Sequence, residues 1–128
     1  MQGRSIMIVE DNADAREALR MLLELDGHTV QAAADGDEAI QLAAAKDPDI
    51  ALVDIGLPGI DGYEVARRLR QGHGKRPLLI ALTGYGQPED RRRATEAGFD
   101  ALLVKPVDPA ALSDLLVTLE IPAREFRG

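Results

Sequence analysis

Five short apolar runs recur along the chain, with amphipathic stretches between them. They are Ile6-Met7-Ile8-Val9, Thr29-Val30-Gln31-Ala32, Ile50-Ala51-Leu52-Val53, Leu78-Leu79-Ile80-Ala81-Leu82 and Ala101-Leu102-Leu103-Val104. Four of the runs are nearly continuous in apolar residues, as expected of strands covered on both faces. The second alternates more and belongs nearer a sheet edge. The intervening stretches have the helical period instead. Ala15, Ala18, Leu19 and Leu22 recur at i, i+3, i+4 and i+7, and so do Leu112, Leu115, Leu116 and Leu119. Ala39, Ile40, Ala43 and Ala44 form a third stripe, and Val65, Ala66 and Leu69 a fourth, with Asp61 placed to cap it. A more polar helix is expected from Pro88 to Ala97, stopped by Gly98.

The order is thus strand then helix, about five times over. It predicts an α/β domain with a doubly wound parallel sheet, right-handed crossovers and helices on both faces. The length of 128 residues fits one domain with one sizeable core. With aromatic residues at only 3%, that core must be built from Leu, Ile, Val and Ala. We expect the domain to occupy residues 1–120, with residues 121–128 a tail or linker. There is no cysteine, which excludes disulfides and thiolate metal sites. No apolar run approaches a membrane span, and the start leads straight into the first strand with no signal-peptide pattern. A cytoplasmic location is the expectation. A net charge of −7 argues against nucleic acid as a partner, and the lone basic cluster Arg91-Arg92-Arg93 suits a solvated helix face.

In open α/β sheets, ligands sit beyond the carboxyl ends of the strands. The first strand ends in Glu10-Asp11, the third in Asp54, the fourth in Thr83 and the fifth in Lys105. Taken singly, each has an ordinary reading. Asp54 suits the turn formed with Gly56, Pro58 and Gly59, Asp11 or Asn12 suits a helix cap, Thr83 suits a turn, and Lys105 suits a solvated surface. Together they place three carboxylates, a hydroxyl and an ammonium on one sheet edge. Clustered carboxylates repel, and a divalent cation with all-oxygen preference relieves that cost. Lysine and threonine supply the positive charge and hydrogen bond that a transferring phosphoryl group needs, and a carboxylate can accept it.

These residues carry a family resemblance over roughly Ser5 to Leu119. Ile8-Val9-Glu10-Asp11-Asn12, Val53-Asp54-Ile55-Gly56-Leu57-Pro58-Gly59, Ala81-Leu82-Thr83-Gly84 and Val104-Lys105-Pro106 resemble the response-regulator (chemotaxis-regulator-like) receivers of two-component signalling. The resemblance implies a flavodoxin-like five-stranded sheet in the order 2-1-3-4-5, one of the common orders of doubly wound sheets. It implies Asp54 as phosphoacceptor, Thr83 and Lys105 as phosphoryl contacts, and a Mg2+ site made by Glu10, Asp11, Asp54 and the main-chain carbonyl of Gly56. It further implies a cis Lys105-Pro106 bond, and a histidine kinase or histidine phosphotransfer domain as donor. A tethered domain of the same polypeptide is a further expected partner. The run from Thr83 to Asp90 is similar to receivers of hybrid histidine kinases.

One position departs from the pattern: Leu102 stands where many receivers carry an aromatic switch residue. Gly56 and Tyr85 occupy the places that flank attacking water, which implies a long-lived acyl phosphate. Two rival readings are weaker. An Asp-nucleophile phosphatase of the haloacid-dehalogenase kind needs a general acid two residues on, where Gly56 stands. A flavodoxin-like cofactor module needs a Gly/Ser/Thr-rich phosphate loop, where Glu10-Asp11-Asn12 stands.

Overall fold

Each apolar run becomes a strand in the computed structural model, which describes residues 3–73, 77–84 and 86–119. In chain order the elements are β1 (Ser5–Val9), α1 (Ala13–Leu25), β2 (Thr29–Ala33), α2 (Gly36–Lys46) and β3 (Ile50–Asp54). They continue with α3 (Gly62–His73), β4 (Leu78–Thr83), α4 (Pro88–Ala97), β5 (Ala101–Val104) and α5 (Pro109–Thr118). The strands pair in parallel in the order β2-β1-β3-β4-β5, as the resemblance implied. Residues 121–128 and Tyr85 lie outside the described residues, so the expectations placed on them stay open.

Strand alternation sends successive residues to opposite faces, and the two faces are built differently. Met7, Val9, Ala51, Val53, Leu79 and Ala81 meet α2, α3 and α4 through Ala39, Ala43, Val65, Ala66, Leu69, Ala94 and Ala97. Ile6, Ile8, Ile50, Leu52, Leu78, Ile80 and Leu82 meet only α1 and α5, through Leu19, Leu23, Leu112 and Leu116. Three helices crowd the first face and are in contact side by side, which leaves room for alanine. Two helices cover the second, so bulkier side chains must fill it.

The strand at each margin shows what one-sided pairing does. β2, predicted near an edge, is one of the two edge strands. β5 is the other, although its sequence is continuously apolar. Its residues are only partly buried and Val104 is 41% exposed, so the expected cover on both faces is incomplete there. Two helical stripes are also rotated from expectation. α1 buries Leu19 and Leu23 while Ala18 is exposed, and α2 buries Ala39 and Ala43 while Ala44 is exposed. In α1 the leucines carry more apolar area than Ala18 and turn inward, whereas α2 buries Ala39 and Ala43 and leaves Ile40 and Leu42 half-buried.

Helix termini follow the capping rules. Asn12 accepts from the Ala15 N–H at 2.9 Å, Asp61 from Glu64 at 3.0 Å, and Gly98 closes α4 with a φ of 108°. Asp35 caps α2 by accepting from Glu38 at 2.9 Å, and the Glu38 carboxylate reaches back to the Ala34 N–H at 3.2 Å. Asp35→Ala is expected to cost about 1 kcal/mol, read as a lower urea midpoint at unchanged slope. An unchanged midpoint would show that the cap adds nothing. Arg91, Arg92 and Arg93 are exposed on α4, with Arg92 paired to Glu89 and Arg93 stacked 4.3 Å over the Tyr63 ring. No helix among the described residues is long and apolar enough to cross a membrane.

Candidate functional site

The central strands β1 and β3 run side by side, with Val9 level with Val53. Their carboxyl ends therefore deliver Glu10 and Asp54 to the same place. Glu10 extends the ladder by one step, its N–H donating to the Ala33 carbonyl at 3.1 Å. β4 and β5 bring Thr83 and Lys105 alongside, and the Lys105 N–H donates to the Thr83 carbonyl at 2.7 Å. The Lys105-Pro106 bond is cis, as expected.

Lysine holds the cluster together. The Lys105 ammonium donates to Glu10 Oε1 at 2.9 Å and to Asp54 Oδ2 at 2.8 Å. The other oxygens of these two carboxylates accept main-chain N–H groups. Asn12 donates to Glu10 Oε2 at 3.1 Å and Gly56 to Asp54 Oδ1 at 2.9 Å. Glu10, Asp54 and Thr83 are all buried. Asp11 is exposed, and among the described residues its carboxylate has no hydrogen-bond partner.

The environments push the two buried acids apart. Burial dominates at Glu10 and raises its carboxyl above the ordinary range, with neighbouring Asp54 adding to the effect against the pull of Lys105 and the Asn12 N–H. Burial acts the same way on Asp54, but Lys105, the Gly56 N–H and Glu10 outweigh it and hold that carboxyl below its ordinary value. Burial disfavours the Lys105 ammonium, and its two carboxylate partners more than reverse that, raising it. Lys105 and the Gly56 N–H thus favour the ionised form of Asp54, the state a nucleophile needs.

A cation fits the donor set. Carboxylate oxygens of Glu10, Asp11 and Asp54 lie within 4.8 Å of one another. Oxygen-only ligands close to an unpaired carboxylate suit a hard divalent ion such as Mg2+. Gly56 stands in the turn after β3, where a Cβ would lie 3.6 Å from Asp54 Oδ1 and, among the described residues, meet nothing else within 4 Å.

The strand-end residues read from the sequence come together as a group. Glu10, Asp54 and Lys105 are joined by direct hydrogen bonds, Asp11 lies within ligand distance of the two acids, and Thr83 is tied to Lys105 through the main chain. Two supports lay beyond that reading. Gly62 opens α3 directly against the back of Asp54: its N–H donates to the Ile55 carbonyl at 3.0 Å, and a Cβ there would fall 2.6 Å from the Asp54 carbonyl oxygen. Arg16 reaches back from α1 to the Glu10 carbonyl at 2.8 Å. The first had a signal in the glycine after Asp61. The second had none, because its partners are main-chain atoms.

Known proteins share this fold. The family model described as "Response regulator receiver domain" matches residues 6–117. The chain is 39% identical to the transcriptional regulatory protein ResD of Bacillus subtilis, over 81% of its own length and 42% of that protein. It spans about half the length of most of the curated relatives it matches. The structure superposes on chemotaxis protein CheY4 of Vibrio cholerae with a TM-score of 0.85 at 28% identity, covering 90% of this chain and 97% of that one. It also superposes on the receiver domain of sensor histidine kinase PA1611 from Pseudomonas aeruginosa, a structure with magnesium coordinated in its active-site cleft. There the TM-score is 0.81 at 35% identity, over 89% of this chain and 94% of the other.

Proposed function

Because the chain belongs to the response regulator receiver domain family, we propose that it accepts a phosphoryl group on Asp54 from a phosphohistidine donor and thereby switches its surface. The observation that carries this reading is the Lys105 ammonium bridging two buried carboxylates, Glu10 and Asp54, beside the unpaired Asp11. An Asp54 oxygen attacks phosphorus, the phosphorus–nitrogen bond to the donor imidazole breaks, and an acyl phosphate remains. Glu10, Asp11, Asp54 and the Gly56 carbonyl would hold Mg2+, which when bound neutralises charge on the phosphoryl oxygens. Lys105 then exchanges its carboxylate partner for a phosphoryl oxygen, and Thr83 offers its hydroxyl to another.

A histidine kinase or histidine phosphotransfer domain is the donor in this reading, and a cytoplasmic location goes with it. The chain's own chemistry is limited to self-phosphorylation and self-dephosphorylation. A tethered domain, in a longer polypeptide of the kind its curated relatives form, would take the output. Acetyl phosphate with Mg2+ is expected to add one phosphoryl group, mapped to Asp54 and lost in hydroxylamine. A chelator should stop the reaction. Modification at another residue, or full yield in chelator, would overturn the proposal.

A further inference from the structure

Arg16 is placed against its helix. It lies in the N-terminal part of α1, where the helix dipole disfavours a cation. It is half-buried and, among the described residues, makes no ion pair, although Glu10 and Asp11 are close by. Its Nη1 donates instead to the Glu10 carbonyl at 2.8 Å and reaches the Asp11 carbonyl at 3.5 Å. Its main-chain N–H donates to the Asn12 carbonyl at 2.9 Å. One side chain thus reaches the carbonyls of both acidic residues in the turn that joins β1 to α1.

The choice of partners matters chemically. Lys105 occupies carboxylate oxygens of Glu10 and Asp54. Arg16 occupies only carbonyl oxygens and leaves the Asp11 carboxylate unpaired within 4.8 Å of the other two acids. A buried carbonyl at the end of a strand needs a donor, and a guanidinium supplies one without taking a metal ligand. The backbone on either side of Asp11 is then fixed before any ion arrives.

We infer that Arg16 is a positioning residue for the divalent-cation site: by holding the Glu10 and Asp11 carbonyls it fixes the Asp11 carboxylate opposite Asp54. The inference rests on the receiver reading of the site and adds a residue to it. Groups that orient metal ligands from behind commonly contribute 10–100-fold to affinity.

Charge and position predict opposite signs. Removing a cation beside three carboxylates strengthens Mg2+ binding if Arg16 acts only through its charge. Loss of position weakens it. Titration calorimetry of the full chain with MgCl2 alone, at fixed ionic strength, reads the difference directly. Arg16→Met is expected to bind Mg2+ about tenfold more weakly. Arg16→Lys should retain most of the affinity, since a single nitrogen makes both contacts. Thermal melting is followed in parallel. Tighter binding by Arg16→Met overturns the inference, and so does unchanged affinity with a lowered melting temperature. Failure of the wild type to bind Mg2+ is a different result: it removes the receiver site itself, and this inference with it.

Discussion

Asp54→Asn is expected to abolish phosphorylation by acetyl phosphate while leaving the fold intact. The amide matches the carboxylate in shape, and its oxygen can still accept the Gly56 N–H that Oδ1 accepts at 2.9 Å. What disappears is the charge. A neutral amide is a poor nucleophile towards phosphorus, and removal of a nucleophile from an enzyme commonly costs 10³-fold or far more. We expect a loss of at least about 10³-fold, the remainder within background. Binding of Mg2+ should weaken too, because one of three clustered acids is gone. Intact mass after reaction with acetyl phosphate reads the first effect and calorimetry the second. Phosphorylation at wild-type yield would remove Asp54 from its role.

Gly62→Ala should disable the same site from behind. Its Cβ would fall 2.6 Å from the Asp54 carbonyl oxygen and 2.6 Å from the Ile55 Cα. Both are main-chain atoms, so no side chain can swing away, and α3 or the end of β3 must shift. Overpacking of this kind typically costs 1–3 kcal/mol, and the backbone contact places Gly62→Ala at about 3 kcal/mol. The displaced strand end carries Asp54, the proposed acceptor, so phosphorylation should slow along with the loss of stability. Gly84→Ala is the control, since among the described residues a Cβ there meets nothing within 4 Å and the backbone has no left-handed φ. Its stability should change by less than about 0.5 kcal/mol. Urea unfolding and the acetyl phosphate reaction rate check both variants. Equal behaviour of the two would show that the close approach is relaxed at no cost.

Strands and the gathering of the strand-end residues were legible in the sequence for one reason: a parallel sheet must be apolar along its strands and must end them at a single edge. Ile50 to Val53 followed by Asp54 states both facts in five residues. The inward member of the Glu10-Asp11 pair was also legible in principle. Alternation places Ile6, Ile8 and Glu10 on one face, together with Ile50, Leu52 and Asp54, and Ala101, Leu103 and Lys105 follow the same face. The observed Lys105 bridge joins those three end residues. Arg16 was not legible, because its role lies in main-chain carbonyls that no residue type advertises. Nor was the turn of α1. Ala15, Ala18 and Leu22 satisfied the helical period as well as Leu19 did, and only packing shows that Leu19 and Leu23 are the buried pair.

The unequal faces of the sheet set different rules for how this sequence can drift. On the side of α2, α3 and α4, Ala39, Ala43, Ala51, Ala81, Ala94 and Ala97 sit where helices and strands already touch. Interiors are close-packed, so a methyl group added there is expected to overpack its neighbours. On the side of α1 and α5, isoleucines and leucines meet in a layer where one branched side chain can exchange for another at nearly constant volume. Variation should therefore pass through one half of the interior as reshuffling among Ile, Leu and Val. In the other half it is held close to fixed, by crowding alone and without any part in the chemistry.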